Sequence, residues 1–417
     1  MPLLDPPWLP RTSLLVLSLL SLFAACSTEV TAVDASPDAA GTASDSGTVT
    51  ADAGPGSPDA SPDAGALEDA ASPDATPDAA APDTGPTTVQ WEGVDLPPTL
   101  ERWGATVVPL GDGQYYLFGG FEMVRGNLAT TNDLMLVDMR GDAPVISEVA
   151  TSSTPPARSR ACAAYDPVGQ RLILRGGRAS GRALSDGTTW ALDTRTLTWS
   201  VVQTETAPPG LVGCAMTYVA SERALYHFGG AYDQPRFDWS DELWRFDLET
   251  NQWSRVTVQG ELPLKAYDMT LAAQGDTLFL FGGGVGVHGN GEFRSELHTL
   301  DLTEGRWTRL GVDRVQPEGR RGHWMLVSSD GQSILIGGGE SVEFPLDDIW
   351  LYDRSRSAWE DLTPEGGDMR PIAQGPFATA LPGPGEATIS IYSGMGDLTT
   401  AVPSTQAWLL RVSGVSF

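Results

Sequence analysis

Apolar residues in this chain gather in runs of four or five, rich in β-branched and aromatic side chains, as in Thr277–Phe281 and Arg171–Leu174. Runs that short predict strands packed on both faces. Helical periodicity over ten or more residues occurs only near the N-terminus. Six of the strands stop at glycine: Gly119-Gly120, Gly176-Gly177, Gly229-Gly230, Gly282-Gly283, Gly337-Gly338 and Gly394. Counted from the first glycine of each, the steps are 57, 53, 53, 55 and 57 residues. A period near about 50 residues means one supersecondary unit repeated, and for four-stranded units it predicts an all-β propeller.

A second spacing runs in step with the first. Downstream of the glycines a strand ends in Asp, with Trp six residues later: Asp193/Trp199, Asp247/Trp253, Asp301/Trp307 and Asp353/Trp359. Trp190, Trp244, His298 and Trp350 stand three residues before those aspartates. The first unit keeps Asp138 but has Pro144 in the Trp position, and the last keeps Trp408 with Arg411 in place of the Asp.

Glycine pair, Asp-ended strand, then Trp resembles the kelch repeat, over roughly residues 88–417. The resemblance implies a six-bladed kelch-type β-propeller with four antiparallel strands per blade. It places the glycine pair at the end of the second strand and the Trp on the outer strand. On physical grounds the repeated Gly, Trp and Asp are scaffold: glycine permits φ > 0 and close backbone approach, and Trp fills the wedge between blades. Residues 88–94 resemble the outer strands around Trp199 and Trp253. Trp91 lies 28 residues before Gly119, against 29 or 30 for Trp199, Trp253 and Trp307 and the glycines that follow them. The N-terminal strand is therefore expected to close the last blade and remove an exposed edge.

Two segments precede that domain. Residues 13–25 form an apolar run after Arg11, too short to span a bilayer and suited to a signal-peptide core. Phe23-Ala24-Ala25-Cys26 resembles the bacterial lipobox, with Phe where Leu is usual, which makes Cys26 the expected lipidation site. Residues 26–87 repeat Pro-Asp-Ala; the stretch 27–90 holds 12 acids and no Lys or Arg. Low hydropathy with one sign of charge predicts a disordered, self-repelling tether. The three expected parts are a signal peptide (1–25), a tether (26–87) and a propeller (88–417) on a bacterial envelope lipoprotein. Ser27, by the enterobacterial sorting rule, favours the outer membrane.

The formal charge is −28, and setting aside the tether's −12 leaves −16 for the remainder. So acidic a chain argues against nucleic acid as a partner. Its basic residues are Arg with the sole exception of Lys265. Cys162 and Cys214 fall in innermost strands of adjacent blades among small apolar residues. That setting favours buried free thiols and leaves a disulfide open.

Motifs for chemistry are scarce. The four histidines, His227, His288, His298 and His323, show no metal-ligand spacing, and no Cys–His cluster is legible. The copper site of galactose-oxidase-like kelch enzymes cannot be assembled from these residues. Neither a nucleophile elbow nor a P-loop is present, so no cofactor, metal or catalytic residue is expected. In kelch propellers the loops after the glycine pairs and those leading into the blades share one face. Here they carry Arg178, Arg182, Tyr232, Arg236, Phe237, Trp239, Glu292, Arg294, Arg320 and Arg321 as candidate ligand contacts. Arg102, Arg158 and Arg160 also lie on segments leading into blades, and Arg175 stands where other blades have Phe118, Phe228 and Phe281. An Arg-rich rim on an acidic protein suits anionic or carbohydrate groups. The expected function is non-catalytic binding of a protein or glycan. The alternatives are a sugar-processing enzyme of the sialic-acid mutarotase type, which acid, base and Arg converging on the central channel would favour, and a passive envelope scaffold.

Overall fold

A computed structural model describes residues 89–95, 102–124, 127–141, 144–179, 187–232, 238–286, 291–311, 315–343, 345–363, 377–381, 386–392, 406–413 and 417. All lie in the compact unit Thr84–Phe417, and none of them is helical.

Sheet 1 is built from Thr106–Gly111, Gln114–Val124, Asn127–Asp138 and Val145–Glu148, with Arg102–Trp103 added beside Gln114–Val124. Sheet 2 comprises Cys162–Asp166, Arg171–Arg175, Thr189–Asp193 and Thr198–Val202; sheet 3 comprises Ala215–Val219, Ala224–Phe228, Leu243–Asp247 and Gln252–Arg255. Sheet 4 runs Thr270–Gln274, Thr277–Phe281, Leu297–Asp301 and Arg306–Leu310, and sheet 5 runs Trp324–Val327, Ser333–Gly337, Ile349–Asp353 and Ala358–Asp361. Sheet 6 joins Phe377–Leu381, Glu386–Tyr392 and Gln406–Ser413 to Val89–Asp95, which pairs antiparallel with Gln406–Ser413 and sets Trp91 opposite Leu410. The first strand of each sheet touches the first strand of the next, and Phe377–Leu381 also meets Thr106–Gly111. This is a β-propeller, with first strands around a central channel.

Second strands such as Thr277–Phe281 are buried at four consecutive positions, because neighbouring sheets cover both faces. First strands are less buried, and Cys162–Asp166 alternates buried and half-buried positions, with one face packed and the other turned to the channel. The glycine pairs are the joints between sheets. Gly120, Gly177, Gly230 and Gly283 donate N–H to Arg158, Leu211, Ala266 and Arg320 carbonyls of the following sheet at 2.8–2.9 Å. A Cβ on Gly119 or Gly176 would collide with Arg158 O or Leu211 O, so only glycine admits this approach. In sheet 5 the pair with positive φ is Gly338-Gly339 (63° and 86°), one residue later than the sequence reading placed it.

Between sheets 1 and 2, 3 and 4, and 4 and 5 the wedge is filled by a Trp from the later sheet's outer strand. Trp199 packs on Phe118, Trp307 on Phe228 and Trp359 on Phe281, with ring centroids 5.4, 5.9 and 5.6 Å apart. The repeated aspartates cap tight turns. Asp193, Asp247, Asp301 and Asp353 each accept backbone N–H bonds from the residues two and three ahead.

Candidate functional site

In sheets 1 to 5 one residue just ahead of the first strand occupies an equivalent place: Gly104, Arg160, Gly213, Asp268 and Gly322. All five have left-handed backbone, with φ of 62°, 52°, 65°, 54° and 59°. They form a chain of hydrogen bonds around the channel mouth. Arg160 N donates to Gly104 O (2.6 Å), Gly213 N to Arg160 O (2.9 Å), Asp268 N to Gly213 O (2.6 Å) and Gly322 N to Asp268 O (2.8 Å). Glycine suits that conformation; Arg and Asp hold it at a cost.

What Arg160 and Asp268 obtain is each other. Arg160 Nη1 lies 2.7 Å from Asp268 Oδ2, reaching across the intervening sheet. Gly213 sits between them, and any Cβ there would strike the Asp268 carboxylate. Next in the collar, Arg321 pairs with Glu340 at 2.5 Å, both almost fully buried. Its guanidinium is 4.9 Å from the Tyr267 ring centre and 4.7 Å from that of Phe293, and its Nη1 has no hydrogen-bond partner. Burial pushes the Asp268 carboxyl above its ordinary range, opposed by Arg160 and reinforced by the Glu340 charge. Burial likewise lowers Arg321, with Glu340 opposing and Arg160 reinforcing. Two acids and two arginines thus sense one another at the mouth of a cavity of about 580 Å³, lined by Arg160, Asp268, Arg321 and His323 together with first-strand residues.

The segments around this mouth form short ribbons. Backbone bridges join Ser159 to Arg178, Leu211–Val212 to Ala231–Tyr232, Tyr267 to Gly284 and Arg321 to Glu340. Arg178 is exposed, and Trp239 bridges Ala231 beside Tyr232. Arg294 pairs with the exposed Glu292 at 3.2 Å and lines a second cavity of about 280 Å³ with Glu296, His298 and Arg309, not the channel. Arg320 is committed to the scaffold: fully buried, it grips Asp348 through two bonds of 2.5 and 2.6 Å and donates to Gly338 O. Arg102 and Arg158 make the same bond to Gly119 O and Gly176 O. Cys26, Arg182, Arg236 and Phe237 lie outside the described residues. Asp268 and Tyr267 escaped the sequence reading, although aligning the five collar positions exposes two charged residues where three sheets carry glycine.

The thiols need a correction. Cys162 and Cys214 are joined as a disulfide, with Cα atoms 5.6 Å apart, so the small apolar surroundings that suggested free thiols instead bring the two sheets close enough to bridge. A Cys–His cluster also exists, because His227 approaches both sulfurs. Burial, with the Arg175 cation adding to it, lowers the His227 pKa to about 3, and His323 is depressed by burial and Arg320.

The channel, the collar and the inter-sheet joints define a propeller of kelch repeats. Residues 167–381, just over half of the chain, match the KLHDC2/KLHL20/DRC7 Kelch-repeats domain, and the protein belongs to that family. Among curated proteins it resembles acyl-CoA-binding domain-containing protein 4 of Arabidopsis thaliana, 28% identical over 49% of this chain and 31% of that protein. It also resembles putative adagio-like protein 2 of Oryza sativa subsp. japonica, 27% identical over 60% and 40%. A third match is the flagellar outer-arm dynein alpha chain of Chlamydomonas reinhardtii, 26% identical over 48% and 5%. The matched segment spans well under half of each of these proteins.

Proposed function

We propose that this chain is a non-catalytic recognition module. In this reading it is a six-bladed ring, closed by residues 89–95, that binds a protein or glycan at the channel mouth. The Arg160–Asp268 pair carries the proposal. Two charged residues hold left-handed backbone where other sheets use glycine, and strain of that kind collects at functional sites. The ribbon residues Arg178, Tyr232 and Trp239 extend the same surface. That the matched segment recurs inside proteins otherwise as unlike as a dynein and an acyl-CoA-binding protein supports a role as an attached interaction domain. The apolar run, Cys26 and the acidic tether support display of the propeller from a bacterial membrane, on its surface or periplasmic side.

The test compares the wild-type chain with Arg160→Gly/Asp268→Gly and with Trp239→Ala on a glycan array and in cross-linking to envelope proteins. Partners kept by wild type and lost from the collar variant support the reading. Partners retained equally by all three chains would place the site elsewhere.

One observation favours the mutarotase-type alternative: a carboxyl raised by burial, Asp268, beside the Arg160 cation at the channel. Line-shape exchange between the anomers of N-acetylneuraminic acid, measured with and without protein, decides that question.

A further inference from the structure

The Sγ atoms of Cys162 and Cys214 and a ring nitrogen of His227 all lie within 4.8 Å of one another. The three come from two adjacent sheets. Cys162 begins the first strand of sheet 2, Cys214 directly precedes the first strand of sheet 3, and His227 lies in the second strand of sheet 3, paired with Met216. His227 is 1% exposed, and neither ring nitrogen has a hydrogen-bond partner. Buried polar atoms are nearly always bonded, and here the imidazole nitrogens lie beside two sulfurs instead of a hydrogen-bond partner. Its T-shaped contact with Trp253, centroids 6.0 Å apart, fixes the ring plane.

Access and charge also fit. Both cysteines line the channel cavity, so an ion has a way in. Arg175 stands directly across the strand pair from Cys162, and a neighbouring guanidinium favours thiolate over thiol. Gly176 and Gly230 crowd Cys214 closely enough that side chains there would occupy its space.

We propose that when the Cys162–Cys214 disulfide is reduced, the two thiolates and His227 hold a thiophilic d10 cation, zinc or copper(I). A dithiol reductant supplies two electrons and two protons: the protein S–S bond breaks, two thiols form, and the reductant becomes a disulfide. The incoming ion displaces both thiol protons to solvent and takes imidazole nitrogen as third donor. Zinc bound this way leaves the cluster neutral; copper(I) leaves one negative charge beside the Arg175 cation. Zn–S bonds of about 2.3 Å and Zn–N bonds of about 2.0–2.1 Å put tetrahedral donors roughly 3.3–3.8 Å apart. Disulfide and metal are mutually exclusive, so the joint between sheets 2 and 3 is closed by one or the other.

The experiment uses the full chain, oxidised and dithiol-reduced, incubated anaerobically with excess zinc and desalted before metal and thiol titration. The reduced chain is expected to retain one equivalent of zinc and the oxidised chain none. Cobalt(II) in the reduced chain should show thiolate-to-metal charge-transfer absorption. Cys162→Ser/Cys214→Ser should retain no zinc under either condition, and His227→Gln should weaken binding roughly tenfold or more, at least what loss of an outer-shell partner costs. Equal zinc in the oxidised and reduced chains, or zinc retained by the double serine variant, overturns the site. A folded His227→Gln chain that binds as tightly as wild type removes the histidine from it, and the proposal with it.

Discussion

The guanidinium of Arg175 lies over the ring of Trp253, 5.2 Å from its centre, at a joint where the neighbouring sheets place phenylalanine against tryptophan. Arg175 is fully buried and donates to Thr189 Oγ1, which also accepts the Trp253 indole N–H at 3.0 Å. It therefore fills the wedge as Phe does elsewhere, with its polar end bonded to the sheet. Arg175→Phe should leave stability within about 1.5 kcal/mol of wild type, as a volume-conserving exchange would. Trp253→Ala should cost about 3–5 kcal/mol by opening the wedge. Denaturant unfolding of both variants checks this, and a larger loss for Arg175→Phe than for Trp253→Ala contradicts it.

The Arg160–Asp268 pair predicts a non-additive cycle. Arg160→Gly alone relieves backbone strain but leaves a mostly buried carboxylate without its 2.7 Å partner, and Asp268→Gly strands the cation. The double glycine variant removes both charges and restores the collar residue of sheets 1, 3 and 5. Its stability should lie within about 1 kcal/mol of wild type while each single variant falls further below. If the single variants sum to the double, the two residues are not coupled.

Acid should unfold the protein in two stages. Burial and the Arg175 cation lower His227 to about 3, so below about pH 6.5 only the unfolded chain binds that proton and stability declines as pH falls. The turn acids act later. Bonds from the Thr250 backbone and Arg245 hold Asp247 near about 2, and the Arg195 side chain does the same for Asp193. Their contribution is complete above the unfolded value of about 3.9 and drains as pH falls toward the folded one. Asp247→Asn should flatten the loss between about pH 4 and 2 and leave the upper stage unchanged. Unfolding midpoints measured across that range read both stages.

What was legible in the sequence was whatever repeats at short range. The glycine pairs, the Asp-to-Trp spacing and the likeness of residues 88–94 to outer strands all report one unit read several times. The fifth pair slipped by one residue because Gly337, Gly338 and Gly339 are indistinguishable without φ. The site was less legible because its partners meet through the ring. Arg160 and Asp268 are 108 residues apart, and Cys162, Cys214 and His227 have no local spacing. Counting arginines misled for Arg320, whose charge Asp348 takes up inside the fold.

Cys26 should carry the lipid if the leader reads as proposed. Labelled palmitate should enter the wild-type protein in a bacterial host and fail to enter Cys26→Ser. Label in both proteins, or in neither, would remove the anchor and with it the envelope location.

Closure gives the last prediction. Val89–Asp95 supplies sheet 6 with a strand across the whole register from Val412 to Gln406. Removing residues 88–96 takes away that strand and leaves Gln406–Ser413 as an open edge, free to pair with another chain. Buried Leu410 and Val412 sit on the uncovered strand, in one cluster with Trp324 and Leu351 of sheet 5. The loss should therefore reach several kcal/mol and spread to sheet 5. Removing residues 27–85 should leave the melting temperature of the propeller unchanged. Comparing the two deletions by calorimetry and light scattering separates strand from tether. If the tether deletion destabilises as much as the strand deletion, ring closure through residues 89–95 is not what holds sheet 6.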